Sequence, residues 1–336
     1  MTPDRKKKIA RIVATWVVTG IMISVFVLDI ITVALANKYV NNLTILPYSN
    51  EKSVTADRIH FLNTANSDCI IIESNGRFAL VDSGEGDNNP RRKTEYKGYN
   101  KEVLDYIKKN CADEKGNVYF DFILATHMHY DHSGNFESII KDSKISIGKA
   151  YIKDYNENRL TETESEAWGN KQIYNSIISA LNTKSIPVIN ALPSAPFSFG
   201  DFTLQFFNTV TPEDIVSEGD NANSVGVKLQ KGEKSAFLAA DFTATTGLEG
   251  IYGKQIGDVD LLKIGHHGYF GSSSNKFLKA VKPEIAICTN YIGKIYPNVK
   301  WNLTMTAKVP ILSTEHRNGI VTEFKDNEII IYEDIM

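Results

Sequence analysis

The chain of 336 residues contains only three cysteines and no large excess of either charge. Cys69, Cys111 and Cys288 are odd in number and far apart in sequence, which argues against a disulfide framework or a zinc ribbon and favours three plain thiols. Because the whole chain carries −3 and residues 1–11 carry +4, the rest carries −7. Non-specific nucleic-acid binding depends on neutralising phosphates, so this mildly acidic body disfavours a nucleic-acid partner. No internal repeat of fixed period is present, which excludes a repeat architecture.

The N-terminal segment lacks charge over a long stretch. Asp29 is the single charged residue within 12–36, and about 20 apolar residues cross a bilayer. Because a basic tail, 1–11, precedes the stretch, the positive-inside rule predicts a single-pass membrane protein with a cytoplasmic N-terminus and an extracellular catalytic part. Secretion after cleavage near Ala36 is the alternative, but the apolar stretch exceeds the about 7–15 residues usual for a signal peptide.

Beyond the apolar stretch, short strand patterns alternate with helical ones. Residues 37–56 have the composition of a polar tether. Strand patterns then occupy 58–63, 68–74, 77–83, 119–126, 202–208, 224–230, 235–241, 260–265, 283–289, 319–326 and 328–334, with helical patterns at 100–110, 159–184 and 274–281. Groups of strands with helices between them predict two sheets enclosed by helices, in one α/β domain over 57–336.

The histidines are unevenly distributed along the chain. Three of the seven lie within THMHYDHSG, residues 126–134, together with one aspartate. This segment directly follows the apolar run YFDFILAT, which predicts a buried strand. Irregular backbone after a strand can direct several side chains to one point, and imidazole with carboxylate suits zinc, manganese or iron. The segment therefore predicts a metal centre.

The cluster resembles the HxHxDH signature of the metallo-β-lactamase superfamily, and three further segments agree with that resemblance. They are the opening strands with an Asp-Gly turn at 61–87, the strand pair that ends in a metal-bridging aspartate at 220–241, and LKIGHHGYFGSS at 262–273. The last resembles the HHG motif of a narrower group, which includes the ComEC-like hydrolase domain of competence proteins and secreted teichoic-acid phosphorylcholine esterases. The resemblance implies a metallo-β-lactamase αββα sandwich, here preceded by one transmembrane helix.

The resemblance also implies two divalent metal ions, with zinc favoured and manganese the alternative. The expected ligands are His127 and His129 for metal one, Asp131, His132 and His267 for metal two, and Asp241 bridging both. His267 is favoured over His266 as the ligand from the HHG motif. His266 is then expected to bind a substrate oxygen or protonate the leaving group, and Asp131 to accept a proton. An aspartate at the position of Asp82 is expected to orient the metal loop.

One ligand of many relatives is missing from this chain. Metal one often receives a third histidine from the middle of the domain, but no histidine occurs between residues 133 and 265. ComEC-like sequences share this lack, which favours the narrower group. Asn221, Asn223 or water is expected to fill the place, and a weak, manganese-preferring or empty metal-one site remains open.

The function implied by the resemblance is a metal-dependent phosphodiesterase or phosphoesterase in which two metals activate a hydroxide. Its substrate would be a phosphoester-containing polymer or a small molecule. The alternatives are a metallohydrolase of lactone, thioester or β-lactam substrates and a non-catalytic metal-binding wall protein.

Two sets of side chains are candidates for substrate contacts. A basic loop follows the DSGEGD turn and is a candidate for binding an anionic polymer, with a solvated loop as the alternative. It contains Arg91, Arg92, Lys93 and Lys97. Aromatics in the segment 154–184 are candidates for a choline head group, although such residues more often belong to the core. They are Tyr155, Trp168 and Tyr174.

Overall fold

A computed structural model of the chain describes residues 2–49, 55–91, 96–211 and 218–336. The strands of these residues form two sheets. The first sheet contains β1 (Ile45–Pro47), β2 (Asp57–Phe61), β3 (Cys69–Ser74), β4 (Arg77–Ser83), β5 (Val118–Ala125), β6 (Ile145–Ile147), β7 (Ala150–Ile152), β8 (Val188–Ile189), β16 (Ile320–Phe324) and β17 (Ile329–Glu333). The second contains β9 (Phe197–Phe199), β10 (Phe202–Phe207), β11 (Gly226–Lys231), β12 (Lys234–Leu238), β13 (Leu261–Lys263), β14 (Ile285–Cys288) and β15 (Ile311–Ser313).

Helices cover the outer faces of the two sheets. The α-helices are α1 (Pro3–Val40), α2 (Asn100–Asn110), α3 (Tyr130–Ser133), α4 (Phe136–Lys141), α5 (Asn170–Thr183), α6 (Leu248–Ile256), α7 (Asn275–Val281) and α8 (Pro297–Trp301). Short 3₁₀ turns lie at Glu157–Arg159, Gly219–Asn223, Gly265–Gly268 and Ile292–Lys294, and π-helical turns at Glu164–Trp168 and Asn302–Ala307. The predicted metallo-β-lactamase αββα sandwich is confirmed.

Strand alternation divides the core into three layers. Along β5, Phe122 and Leu124 join the cluster between the sheets, whereas Ile123 and Ala125 join the cluster beneath α2, α4 and α5. Phe237 of β12 instead packs outward with side chains of α6, α7 and α8. Successive side chains of a strand point to opposite faces, so strands covered on both faces are apolar at almost every position.

Two predicted segments differ from the structure. The helical pattern over 159–184 is interrupted at Gly169, whose φ of 69° lies in the left-handed region, and the regular helix begins only at Asn170. In the predicted tether, α1 continues to Val40, and β1 pairs in parallel with β17. Residues 50–54 of that tether lie outside the described part of the chain.

The helix α1 is long and apolar enough to cross a membrane. Its 38 residues correspond to about 57 Å at 1.5 Å per residue. Most of its side chains are exposed, but Thr32 and Ala36 are buried against the domain. Near the same end, Lys300 Nζ lies 3.9 Å from Asp29 Oδ1. The C-terminal part of the helix therefore packs on the sandwich through a few defined contacts.

The cysteines and one isolated histidine are structural. Cys69, Cys111 and Cys288 are buried and form no disulfide among the described residues, as predicted for plain thiols. His60 lies in β2, and its two ring nitrogens are 2.8 Å from the Tyr106 hydroxyl and 3.0 Å from Glu73 Oε2.

Candidate metal centre

The predicted ligands lie on loops that leave the carboxyl ends of neighbouring strands. The cluster 127–132 follows β5, Asp82 lies near the end of β4, Asp241 follows β12, and the HHG motif follows β13. β4 pairs in parallel with β5, and β12 with β13. Carboxyl ends of parallel strands meet at one edge of a sheet, so the two sheets bring the four loops to the same end of the sandwich.

Four donor atoms converge in what we call site two, formed by Asp131, His132, His267 and Asp241 Oδ1. His132 Nε2 lies 3.1 Å from both His267 Nε2 and Asp241 Oδ1. His267 Nε2 lies 3.6 Å from Asp241 Oδ1 and 3.5 Å from Asp131 Oδ2. Ligand atoms on one tetrahedral zinc are about 3.3–3.4 Å apart when each bond is about 2.0–2.1 Å. The separations in site two therefore fit a single divalent ion.

The other oxygen of Asp241 faces what we call site one, formed by His127, His129 and Asp241 Oδ2. His127 Nε2 lies 3.6 Å from Asp241 Oδ2, and the rings of His127 and His129 have centroids 4.7 Å apart. Nε2 of His129 is occupied by Glu164 Oε1 at 2.7 Å, so Nδ1 is the nitrogen left for a metal. The two oxygens of one carboxylate thus point at two neighbouring sites.

The buried polar atoms of the centre fit bound cations. Among the described residues, neither oxygen of Asp241 nor Nε2 of His127 has a hydrogen-bond partner, although all three atoms are buried. A buried carboxylate without partners is costly unless a cation compensates it. Burial alone would raise the pKa of Asp241, but neighbouring imidazoles, first that of His132, hold this pKa well below its usual range. The donor set and its electrostatics both suit divalent metals.

Carboxylates contact the Nδ1 atoms of the two site-two histidines, on the side of each ring away from Nε2. His132 Nδ1 lies 2.7 Å from Asp82 Oδ2, and Asp82 also accepts hydrogen bonds from the backbone N–H and hydroxyl of Thr126. His267 Nδ1 lies 3.0 Å from Thr289 Oγ1 and 3.3 Å from Asp68 Oδ1. Such partners fix the ring orientation and raise the basicity of a metal-binding imidazole.

Asp68 is a buried residue of the centre that the motifs did not indicate. Its carboxylate lies near the Nδ1 atoms of His132 and His267, opposite their metal-facing Nε2 atoms. It forms a buried ion pair with Lys263 and accepts a hydrogen bond from Thr289 Oγ1 at 2.6 Å. We therefore interpret Asp68 as an outer partner rather than a ligand. Its one sequence signal is an acidic residue directly before the apolar strand CIIIES.

A second buried network supports His129. Glu164 Oε1, which contacts His129, also accepts from the backbone N–H of Asp220 at 2.8 Å. Asp220 Oδ2 accepts from the N–H of Met128 at 2.6 Å, and Asp220 Oδ1 pairs with Arg159 at 2.8 Å. Burial would raise the pKa of Glu164, but the hydrogen bond with His129 lowers it to about 2, so the carboxylate is ionised. The segment 157–168 therefore reaches into the metal loop, which sequence patterns did not indicate.

Uncommon backbone geometry gathers around the centre. Asp82, Ala240, His266 and His267 have φ values of 55°, 44°, 49° and 49°, in the left-handed region that non-glycine residues seldom adopt. Such conformations cluster at functional sites because surrounding contacts impose them. A close approach of Gly134 to the loop 84–87 leaves no room for a side chain at Gly134.

The place of the missing histidine is lined by amides and by His266. The side-chain oxygens of Asn221 and Asn223 are buried and accept no hydrogen bond from the described residues. His266 Nε2 lies 3.4 Å from Asn221 Nδ2 and 3.9 Å from Asp241 Oδ2. Burial lowers the pKa of His266, so its imidazole is neutral at neutral pH. At 24% side-chain exposure, it is far more accessible than the rings of His127, His129, His132 and His267.

The basic loop contributes one cation to the centre. Arg91 Nη1 lies 3.9 Å from Asp131 Oδ1, and the guanidinium pairs with Glu85 and stacks near Tyr96 and Tyr130. Lys97 instead pairs with an exposed glutamate, Glu102, at 2.7 Å. Arg92 and Lys93 lie outside the described residues.

The three candidate choline-binding aromatics do not converge. Tyr155 and Tyr174 stack on each other with centroids 5.2 Å apart and pack against the core. Trp168 packs edge-on against His129 at 4.7 Å and helps to close site one.

The fold and this ligand geometry define a class of protein. The sequence profile of the Metallo-beta-lactamase superfamily matches residues 62–288, which is more than half of the chain. The chain therefore belongs to this superfamily, whose members are mostly metal-dependent hydrolases and typically bind a pair of metal ions.

Similar proteins include competence and recombination proteins. The chain is 22% identical to Recombination protein 2 of Haemophilus influenzae over 66% of its own length and 22% of that protein. It is 21% identical to ComE operon protein 3 of Bacillus subtilis over 63% of its length and 26% of that protein. The chain thus spans about a quarter of these relatives. The metallo-beta-lactamase fold protein YhfI of Bacillus subtilis aligns with a TM-score of 0.51 at 13% identity. The alignment covers 80% of this chain and 100% of the YhfI chain, and it shows the fold alone.

Proposed function

We propose that the chain is a membrane-anchored, extracytoplasmic phosphodiesterase or phosphoesterase that uses two divalent metal ions. The observation that carries the proposal is the convergence of two imidazoles and two carboxylates in site two, next to the guanidinium of Arg91. A fixed guanidinium beside such a centre suits an anionic phosphoester, because its planar fork matches phosphate oxygens. The HHG motif supports the same reaction through its resemblance to phosphoesterase relatives.

Each group of the centre has a task in this proposal. When bound, a pair of divalent ions supplies Lewis-acid polarisation of the ester and a nucleophile at neutral pH. Asp241 fixes the two sites relative to each other, because its two oxygens face different histidines. Burial would raise the pKa of Asp131, but the contact with His267 keeps it below its usual value. Asp131 is therefore ionised at neutral pH and, besides holding metal two, is available to accept a proton.

His266 is proposed to contact the substrate. It is the most exposed of the five imidazoles of the centre, and its Nε2 lies 3.9 Å from Asp241 Oδ2 of site one. In a neutral imidazole, Nε2 accepts a hydrogen bond when Nδ1 holds the proton and donates one when Nε2 itself holds the proton. The alternative, that His266 is the third ligand of site one, predicts loss of one metal in His266→Ala. A substrate contact predicts unchanged metal content and slower turnover.

The membrane location is part of the proposal. The basic tail before α1 favours a cytoplasmic N-terminus, which would leave the sandwich outside the cell. Retention of α1 is favoured over cleavage near Ala36 because the apolar stretch is long. A protease-protection assay on intact cells, with a tag at each terminus, tests both points.

The reaction is tested with the full chain in detergent, by metal content per chain and by hydrolysis of bis-p-nitrophenyl phosphate. Asp131→Ala removes a ligand of site two and should lose one metal. Turnover should fall by more than the about 10–100-fold that loss of an outer partner costs. Asp105→Ala is the matched control, because Asp105 is an exposed residue of α2 that pairs with Lys101. Wild-type turnover in folded Asp131→Ala would refute the proposed mechanism.

The same assay separates the alternatives. Cleavage of a lactone, thioester or β-lactam without phosphodiester cleavage would establish the second class of metallohydrolase. Full metal occupancy without turnover of any ester would establish a non-catalytic metal-binding role.

A further inference from the structure

Three exposed aromatic side chains lie on the loops that follow the HHG motif and β14. Phe270 follows the HHG motif and is 61% exposed, and Tyr291 and Tyr296 lie after β14 at 46% and 42% exposure. Apolar side chains that gather on a surface mark a binding site or a membrane contact, whereas isolated ones need no explanation.

Ring contacts connect the HHG motif to one of these aromatic residues, Tyr296. The ring of His266 lies 5.5 Å from that of Tyr269, which in turn lies 5.8 Å from Tyr296. The ring of Phe270 lies 6.2 Å from that of Tyr296. Two ring contacts therefore connect His266 of the metal centre to Tyr296.

Tyr296 is also a wall of an apolar groove. The groove has a volume of about 990 Å³ and lies between α1 and the segment 293–302. Met22, Val25 and Phe26 line it from the helix, and Tyr296 and Trp301 line it from the domain. One aromatic residue, Tyr269, thus separates His266 from the residues of the groove.

The helix wall identifies the occupant. Met22, Val25 and Phe26 are 67%, 60% and 66% exposed, and they belong to the candidate membrane span. A side chain that lies in a bilayer has hydrocarbon chains as its solvent, so a groove open along this helix is open to lipid. Lys294 of the opposite wall adds positive charge that suits the phosphate of a lipid head group, whereas Lys300 lies 3.9 Å from Asp29 of the helix wall. Trp301 and Tyr296 are of the residue types found at membrane interfaces.

We propose that the groove binds the hydrocarbon chain of a membrane lipid that carries the phosphoester to be cleaved. The substrate is then an amphiphile of the outer leaflet rather than a free soluble polymer. Its head group reaches the metal centre past Tyr269 while its chain stays between α1 and the segment 293–302. This inference rests on the proposed phosphoesterase function for its chemistry, but the groove itself can be tested by binding.

The kinetic test uses the full chain in lipid nanodiscs and a series of p-nitrophenyl alkyl phosphodiesters from methyl to dodecyl. Each methylene buried in the groove should improve binding by about fourfold until the groove is filled. Val25→Trp places a large side chain in the groove and should weaken this dependence while leaving the turnover of the methyl ester unchanged. Val27→Trp is the matched control, because Val27 is an exposed residue of the same helix and does not line the groove. Val27→Trp should show the same dependence on chain length as the wild type. Partitioning of longer esters into the nanodisc affects both variants equally, so it cannot cause a difference between them.

The binding test does not require turnover. The test uses a Trp16→Phe background, because Trp16 lies in the predicted membrane span and would itself be quenched. In vesicles that contain lipids with dibrominated chains, Trp301 should then be quenched, and the quenched component should disappear in Trp301→Phe. Hydrolysis of the methyl ester without any difference between Val25→Trp and Val27→Trp would overturn the groove proposal and leave the proposed function intact. Quenching of Trp301 without hydrolysis of any ester would support a lipid-binding groove and overturn the phosphoesterase. An absence of Trp301 quenching would also overturn the groove proposal.

Discussion

Asp68 and Lys263 form a buried ion pair next to the Nδ1 side of the site-two histidines. Variants of the pair can separate the effect of Asp68 on folding stability from its effect on metal affinity. Asp68 is 1% and Lys263 0% exposed. Asp68 Oδ1 lies 3.3 Å from His267 Nδ1, and Lys263 also donates to the carbonyl of Ala240 at 3.0 Å. Burial would raise the pKa of Asp68, but Lys263 and the imidazoles hold it well below its usual range. Asp68 thus balances a buried cation and contacts the imidazole that is predicted to bind metal two.

The two tasks predict different patterns across three variants. Asp68→Asn and Lys263→Met each leave a buried charge unpaired, which costs about 3–5 kcal/mol of folding free energy. The double variant leaves neither charge, so most of that loss should be recovered, because replacing a whole buried pair is often neutral. Affinity for metal at site two should fall about 10–100-fold in Asp68→Asn and in the double variant. Lys263→Met keeps the carboxylate behind His267 and should retain wild-type affinity.

Stability is measured by urea unfolding of the metal-free chain, because bound metal would add its own stabilisation. Metal affinity is measured by competition with a chromophoric chelator. Equal losses of affinity in Asp68→Asn and Lys263→Met would refute the reasoning, since they would mean that Asp68 acts only through packing. A double variant as unstable as the sum of the two single variants would refute the ion-pair argument.

Two further predictions concern other buried carboxylates. Glu164→Gln removes the charge that faces His129 Nε2 and should weaken metal binding at site one about tenfold while sparing site two, as competition titrations would show; equal weakening of both sites would contradict this. Burial raises the pKa of Glu249 from 4.5 to about 7, so the folded chain keeps a proton that the unfolded chain loses. The stabilisation from this bound proton is fully present below about pH 4.5 and is lost as the pH rises to about 7. The free energy of unfolding should therefore fall by about 3 kcal/mol over this range. Glu249→Gln should abolish this decline, and a difference between wild type and variant that is constant from about pH 4 to pH 8 in urea unfolding would show that Glu249 does not cause it.

The sequence predicted the ligand loops because their residues are close together along the chain. His127, His129, Asp131 and His132 occupy six positions after a strand, and the HHG motif also follows one. The family resemblance then indicated that these two loops meet at Asp241. Ligands of this kind lie close together in sequence. Each ligand loop follows a strand, and the carboxyl ends of these strands meet at the same end of the sandwich.

The outer partners could not be predicted, because their roles exist only in three dimensions. Glu164 lies 35 positions from His129, and Asp68 lies 199 positions from His267. Neither stands in a spacing that indicates a metal site. The helical pattern over 159–184 concealed Glu164, because helix propensity predicted a continuous helix where hydrogen bonds from Thr161 and His129 hold a distorted turn.

We propose that the buried network around His129 compensates for the missing third histidine of site one. Site two has four converging donors, whereas site one has two imidazoles and one carboxylate oxygen with neutral groups around them. An ionised Glu164 on the far side of His129 makes its other nitrogen a stronger donor. Asp220 holds Glu164 through its backbone N–H and is itself paired with Arg159. The segment that supplies Arg159 and Glu164 therefore strengthens an existing ligand instead of adding one, which predicts that metal leaves site one before site two as the chelator concentration rises.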